Sequence, residues 1–244
     1  RLLALTVAFA SLESAALAKP CPNIMLVLDR SGSMGQDPQG NEPGSENFKG
    51  PSKWELLQQV VTDIIKQYGD FVPFGLEVFS GVAANNDNTC GNGAEVVAPV
   101  AHDSAPAILQ AIRKTMPTGE TATNGAIRLA RMDPGLMDPK KGNFIVLVTD
   151  GNPNCGVADF QAYSAMENLN TDPMGTLDEL TKAFKQKPSI KTYVIGFDGD
   201  PAGVKVGNLN SMGFYGAGGG QVQCGHGGNE PNCYYTAGVN FADF

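Results

Sequence analysis

Three short runs put carboxylates and hydroxyls where chemistry could be done. Asp29-Arg30-Ser31-Gly32-Ser33 directly follows the apolar run Asn23 to Leu28, and Thr149-Asp150-Gly151 directly follows Phe144 to Val148. Between them, just ahead of a helical pattern, stands Pro117-Thr118-Gly119-Glu120-Thr121-Ala122-Thr123. All the side-chain donors are oxygens, and hard oxygens suit Mg2+, Mn2+ or Ca2+ rather than zinc. Hydroxyls are neutral, so a cation held partly by Ser and Thr stays electron-poor and recruits an anionic oxygen from outside. Taken singly, each of these residues is an ordinary turn or helix-cap residue. The chemistry depends on several of them converging on one edge of a sheet.

The surrounding elements are of the kind that would bring this about. NIMLVL (23–28), FIVLV (144–148) and YVIGF (193–197) are continuous apolar runs, as expected of strands buried on both faces. Gly75 to Phe79, Glu95 to Val100 and Cys233 to Thr236 are further short strand candidates. Ser52-Lys53-Trp54-Glu55 is a capping box that opens a helix running to about Gly69. Ser104 to Thr115 and Thr123 to Met132 carry helical spacing, as does the stretch opened by a second capping box at Thr176-Leu177-Asp178-Glu179. One further helix is expected near Asp159 to Leu169 and another beginning at Asn240. Apolar strands alternating with amphipathic helices predict an α/β fold of the doubly wound, Rossmann-like kind, with a mostly parallel sheet of about six strands and helices on both faces. In such folds ligands bind at the carboxyl ends of the strands.

The chain has 244 residues, 42% hydrophobic and 17% charged, enough for one domain with a sizeable core. A formal net charge of −8 argues against nucleic-acid binding through a general positive field. Leu2 to Ala10 is apolar but too short to span a bilayer, and Ala16-Leu17-Ala18 offers a small-x-small cleavage site. Residues 1–18 therefore read as a partial signal peptide and 19–244 as the domain, with a secreted, periplasmic or cell-surface location; a buried N-terminal helix is the alternative. No later stretch has the length and apolarity of a membrane span.

Asp29-x-Ser31-x-Ser33, then Thr121 in a Gly-x-Thr turn, then Asp150 in Thr-Asp-Gly resembles the metal-ion-dependent adhesion site of von Willebrand factor A domains, of the bacterial secreted type. The likeness extends from about Asn23 to Phe244, with the family's final helix expected to be truncated. It implies five parallel strands and one antiparallel edge strand. It also implies direct or near-direct ligation by Ser31, Ser33 and Thr121, with Asp29 and Asp150 commonly acting through bound water. The cofactor would be a divalent cation, Mg2+ ahead of Mn2+ or Ca2+, and the partner a protein presenting an Asp or Glu carboxylate. The implied activity is adhesion or protein binding, not catalysis. Thr123 is the alternative to Thr121 if the turn is misregistered. Glu120 departs from the family pattern and is expected to face solvent. The loop Gly35 to Pro51 is longer than usual; it could be a lid or a specificity element, and its acids Asp37, Glu42 and Glu46 read as solvated, with an accessory cation site as the alternative. Either carboxylate substitution, Asp29→Ala or Asp150→Ala, should abolish Mg2+ binding and leave the fold intact.

Two rivals come from other classes. Ser31-Gly32-Ser33-Met34-Gly35 half resembles a nucleophile elbow, and Ser33, Asp150 and His226 follow in α/β-hydrolase order. Against this, the elbow's first Gly is replaced by Ser31 and its strand is the first of the fold. The other rival is a metal-stabilised structural domain of a larger surface protein. Family-like connectivity puts Cys90 and Cys155 at the metal-bearing edge, with Cys21, Cys224 and Cys233 near the opposite edge. The implied disulfides are Cys90–Cys155 and Cys224–Cys233, leaving Cys21 unpaired or paired beyond this chain.

Overall fold

A computed structural model describes residues 20–80, 93–150, 153–155, 173–197, 204–218 and 233–236. The proposed signal peptide, Cys90, Cys224, His226, and the helices expected near 159–169 and from 240 lie outside these residues.

The strands are β1 (Asn23–Asp29), β2 (Phe74–Phe79), β3 (Glu95–Ala101), β4 (Asn143–Thr149), β5 (Ile190–Gly196) and the two-residue β6 (Tyr235–Thr236). They form one sheet in the order β3-β2-β1-β4-β5-β6. All neighbours are parallel except β2 and β3, so β3 is the antiparallel edge strand. The described helices are α1 (Lys53–Tyr68), α2 (Ala105–Lys114), α3 (Thr123–Ala130), α4 (Pro173–Lys185) and α5 (Val204–Gly216).

The apolar run of β1 explains why both faces of the sheet must be covered. Its side chains alternate, so Met25 and Val27 join one core while Leu26 and Leu28 join the other. The first core is closed by Ala126, Ile127 and Ala130 of α3, Leu180 and Ala183 of α4, and Leu209 and Met212 of α5. The second is closed by Trp54, Leu57, Val61 and Ile65 of α1 and by Ile108 and Ile112 of α2. Trp54 is a packing residue, and its Nε1 donates to the Thr115 carbonyl at 2.9 Å.

Several details differ from the sequence reading. The second capping box does not open its helix: α4 begins at Pro173, where a missing N–H costs nothing. Thr176 is buried inside that helix, and Glu179 instead pairs with Arg131 just past the end of α3 at 2.8 Å. β5 begins at Ile190 rather than Tyr193, and its second face is only partly covered: Ile195 packs against the second core, but Tyr193 is 41% exposed. Its outer face carries an aromatic row in which the Tyr193 ring lies 5.7 Å from Phe144 and 6.4 Å from Tyr235. Helix α5 was not anticipated, because Gly207, Gly213 and Gly216 mask its periodicity. Gly213 is required there: a Cβ at that position would sit 2.0 Å from the Cys233 carbonyl oxygen, so the glycine lets the approach to β6 pass close to the helix.

One buried acid lies apart from the candidate site. Glu77 on β2 is fully buried, and neither carboxylate oxygen has a hydrogen-bond partner among the described residues. Burial, with a smaller contribution from Asp133, raises its pKa well above the ordinary 4.5. A folded-state pKa above the unfolded one means that the folded protein holds the proton longer. Stability is therefore intact below about pH 4.5 and declines as pH rises, by about 1.4 kcal/mol per pH unit until the folded-state pKa is reached. Glu77→Gln should remove that slope, so its stability relative to the parent should be higher at pH 8 than at pH 5 in urea melts. A difference independent of pH would refute this account.

Candidate metal-binding site at the switch point

β1 and β4 are adjacent, with Leu28 opposite Val148, so Asp29 and Asp150 leave the sheet side by side. From β1 the chain runs outward to β2, and it later returns on the other side to β4. The two strands therefore bound the topological switch point, where a crevice opens in sheets of this kind.

Asp29 is fully buried and its carboxylate organises the first turn. Its Oδ1 accepts from the Ser31 N–H at 2.8 Å and its Oδ2 from the Thr149 hydroxyl at 2.6 Å. Ser31 Oγ and Ser33 Oγ lie 3.1 Å apart, at the start of a short 3-10 turn over Gly32–Gly35. Burial, then the nearby Asp150 carboxylate, pushes the Asp29 pKa up to about 7; the hydrogen bonds from Thr149 and Ser31 oppose that rise. Two acids so enclosed are an electrostatic cost that a cation between them would offset.

The 117–121 loop docks on the same turn. Gly32 N–H donates to the Gly119 carbonyl at 3.0 Å, and Thr118 N–H to the Arg30 carbonyl at 2.7 Å. Gly119 has φ +79, a left-handed conformation that suits glycine and turns the chain toward Thr121. Arg30 adds a tie, its Nε donating to the Ser80 carbonyl at 2.7 Å. Thr121 is buried and strapped by Asn154, whose Oδ1 accepts from the Thr121 N–H at 2.6 Å and whose own N–H donates to the Thr121 carbonyl at 3.1 Å. Thr123 is the first residue of α3, also buried, and its hydroxyl has no partner among the described residues. Glu120 does not simply face solvent: its carboxylate accepts from Asn154 Nδ2.

Asp150 is 2% exposed and forms an ion pair with Lys53, Nζ to Oδ2 at 2.9 Å, with both side chains about equally buried. The same ammonium donates to the Ser33 carbonyl at 3.3 Å. Alanine at Asp150 would strand a buried charge, so that substitution is expected to cost stability as well as metal binding. Lys53 and Asn154 are the residues of the candidate site that the sequence reading did not single out. For Lys53 a signal existed: a cation in the first turn of a helix opposes the helix dipole, so its presence there calls for a partner.

The long loop also differs from expectation. Asp37 is buried, and its carboxylate accepts from the backbone N–H groups of Gln39, Asn41 and Lys49 and from Asn41 Nδ2. Burial acts to raise its pKa, but together those bonds outweigh it and hold the pKa down at about 2. Asp37 is thus the internal clasp of the loop, while Glu42 and Glu46 are exposed as expected. Among the described residues no three His, Cys, Asp or Glu side chains cluster as a metal site would. Any cation here must therefore rely on hydroxyls as well as the two acids. Of the hydrolase set, Asp150 is engaged by Lys53, Ser33 Oγ bonds to Ser31 Oγ, and His226 lies outside the described residues.

A doubly wound α/β domain with acids and hydroxyls gathered at its switch point defines the class of protein. Residues 24–152, more than half of the chain, match the von Willebrand factor type A domain, and the chain belongs to that family. The uncharacterized protein YwmC of Bacillus subtilis (strain 168) is 25% identical over 214 residues, covering 86% of this chain and 81% of that protein. Among solved structures, a point mutant of the PilB minor pilin from Streptococcus sanguinis matches with a TM-score of 0.62 at 17% identity, covering 91% of this chain. The pilus adhesin SpaC from Lactobacillus rhamnosus GG matches with a TM-score of 0.57 at 18% identity, also over 91% of this chain. This chain spans 57% of the pilin's length and 29% of the adhesin's. At such identities the structural likeness establishes a shared fold.

Proposed function

We propose that this chain is a non-enzymatic protein-binding module that holds a divalent cation, Mg2+ ahead of Mn2+ or Ca2+, through Asp29, Ser31, Ser33, Thr121 and Asp150. A partner's Asp or Glu carboxylate would complete the coordination. The observation that carries this reading is the 3.1 Å spacing of the Ser31 and Ser33 hydroxyl oxygens beside two buried acids. An octahedral ion with metal–oxygen bonds of about 2.1 Å sets neighbouring ligands about 3.0 Å apart. With two neutral hydroxyls in the set, the ion keeps positive charge to offer an incoming carboxylate. The fold is shared with a minor pilin and a pilus adhesin; the chemistry of the site, not that likeness, is what supports a binding role. Binding to an array of Asp- and Glu-containing peptides should require Mg2+ and be reversed by EDTA. Tight Mg2+ binding with no peptide retained would instead favour the metal-stabilised structural domain. Absence of Mg2+, Mn2+ and Ca2+ binding would remove the reading altogether.

A location outside the cytoplasm belongs to the same proposal. Cys155 and Cys233 are disulfide-bonded while Cys21 is a free, exposed thiol, and structural disulfides persist in oxidising compartments. The proposed pairs remain Cys90–Cys155 and Cys224–Cys233. In support of the first, Gly93 packs against Ala122 and Gly125, and the Cys155 carbonyl accepts from Asn124 in the same helix, so both segments reach one corner. Peptide mapping of the non-reduced protein should return these two bridges, and a Cys21–Cys155 bridge would break the assignment.

A further inference from the structure

The Lys53 ammonium is an unusual choice of neighbour for a cation site. It lies at the first position of α1, where the helix dipole disfavours positive charge. Its side chain is 3% exposed, and burying an ammonium costs several kcal/mol unless it is well paired. It bridges two of the three loops, through Asp150 Oδ2 at 2.9 Å and the Ser33 carbonyl at 3.3 Å. An apolar side chain of the same length would fill the space, but it would take the ammonium away from the buried Asp150 carboxylate, so the lysine answers to the charge of the site rather than to packing.

We propose that Lys53 sets the balance of the site between metal and partner, by drawing on the charge of Asp150 so that the bound cation stays ligand-hungry. The inference rests on the metal-binding reading above and deepens it. Two carboxylates alone would neutralise a divalent ion. With a lysine sharing one of them, the group of Asp29, Asp150, Lys53 and the ion carries net positive charge. The metal is then held less tightly, and an incoming carboxylate is attracted more strongly. Lys53 is a positioning and tuning residue in this scheme and not a ligand.

The test compares the parent protein with Lys53→Met, which keeps the stem and removes the charge, and Lys53→Gln, which keeps a hydrogen-bond donor toward Asp150. Mg2+ affinity is read by calorimetry, acetate or Asp-peptide affinity is read at saturating Mg2+, and folding is read by melts in EDTA and in Mg2+. Removing a unit charge beside a divalent ion should tighten Mg2+ binding by at least about tenfold and weaken carboxylate binding by a similar factor. Both variants should move the same way, and their melts should gain more from Mg2+ than the parent's does. If the parent binds Mg2+ and either folded variant shows unchanged or weaker Mg2+ affinity, the role given to Lys53 is wrong while the site stands. A parent that binds no divalent cation overturns both.

Discussion

Replacing Asp150 by alanine is expected to destabilise the folded protein by about 3–5 kcal/mol, the usual cost of leaving one member of a buried ion pair without its partner. Lys53 and Asp150 meet at 2.9 Å with both side chains 3% exposed, so the substitution leaves the ammonium inside the fold without its carboxylate. The loss should be measured by urea melts in EDTA, which removes any stabilisation from bound metal. The double variant Lys53→Met with Asp150→Ala should recover much of it, because the stranded charge is then gone. The two changes should be non-additive by about 0.5–3 kcal/mol, as expected of residues in direct contact. A cost below about 0.5 kcal/mol for Asp150→Ala, typical of an exposed position, would show that the pair is not buried in solution. A practical consequence is that loss of metal binding in Asp150→Ala would not by itself separate ligation from partial unfolding.

Asp29→Asn is the cleaner probe of the metal site, and it should weaken Mg2+ binding about 10–100-fold, the range typical of groups that act on a metal through its outer shell. The substitution keeps the shape. An amide oxygen can still accept from the Ser31 N–H, and an amide NH2 can donate to the Thr149 hydroxyl, which then reverses its role. Stability should therefore change by no more than about 1–2 kcal/mol, the value of one charge-assisted hydrogen bond made ordinary. Calorimetry gives the affinity and the melts in EDTA give the fold. Carboxylate-peptide capture should fall in step with the metal, since the partner's oxygen is bound through the ion. Unchanged Mg2+ affinity in this variant would sink the ligand assignment.

Much of this was legible before any tertiary structure. The run NIMLVL has apolar residues at consecutive positions, and a strand's alternation can bury all of them only if cores lie on both sides. That physical constraint, repeated in FIVLV and joined to helical spacing between, is enough to specify a doubly wound sheet. It also places Asp29 and Asp150 at strand ends, and the capping box at Ser52 and Glu55 forms as read. Reading failed where local pattern and tertiary demand diverge. In helix α5, Gly213 clears the approach to β6 and Gly216 clears the Thr192 backbone of β5, while Gly207 faces open space, so close contacts weaken the helical signal at two of the three glycines. The Thr176 box was a match of residue types without the chain geometry, since Pro173 had already opened the helix.

The sequence by itself determined the fold class, the strand ends and the types of oxygen donor that stand there, because these depend on periodicity and on neighbours along the chain. Only the tertiary structure decided which groups meet. Lys53 and Asp150 are 97 residues apart, and Asn154 reaches Thr121 across 33. Such pairings are set by strand order and loop docking, which no local spacing encodes. They determine which charges in the site are shared and which are left for a ligand.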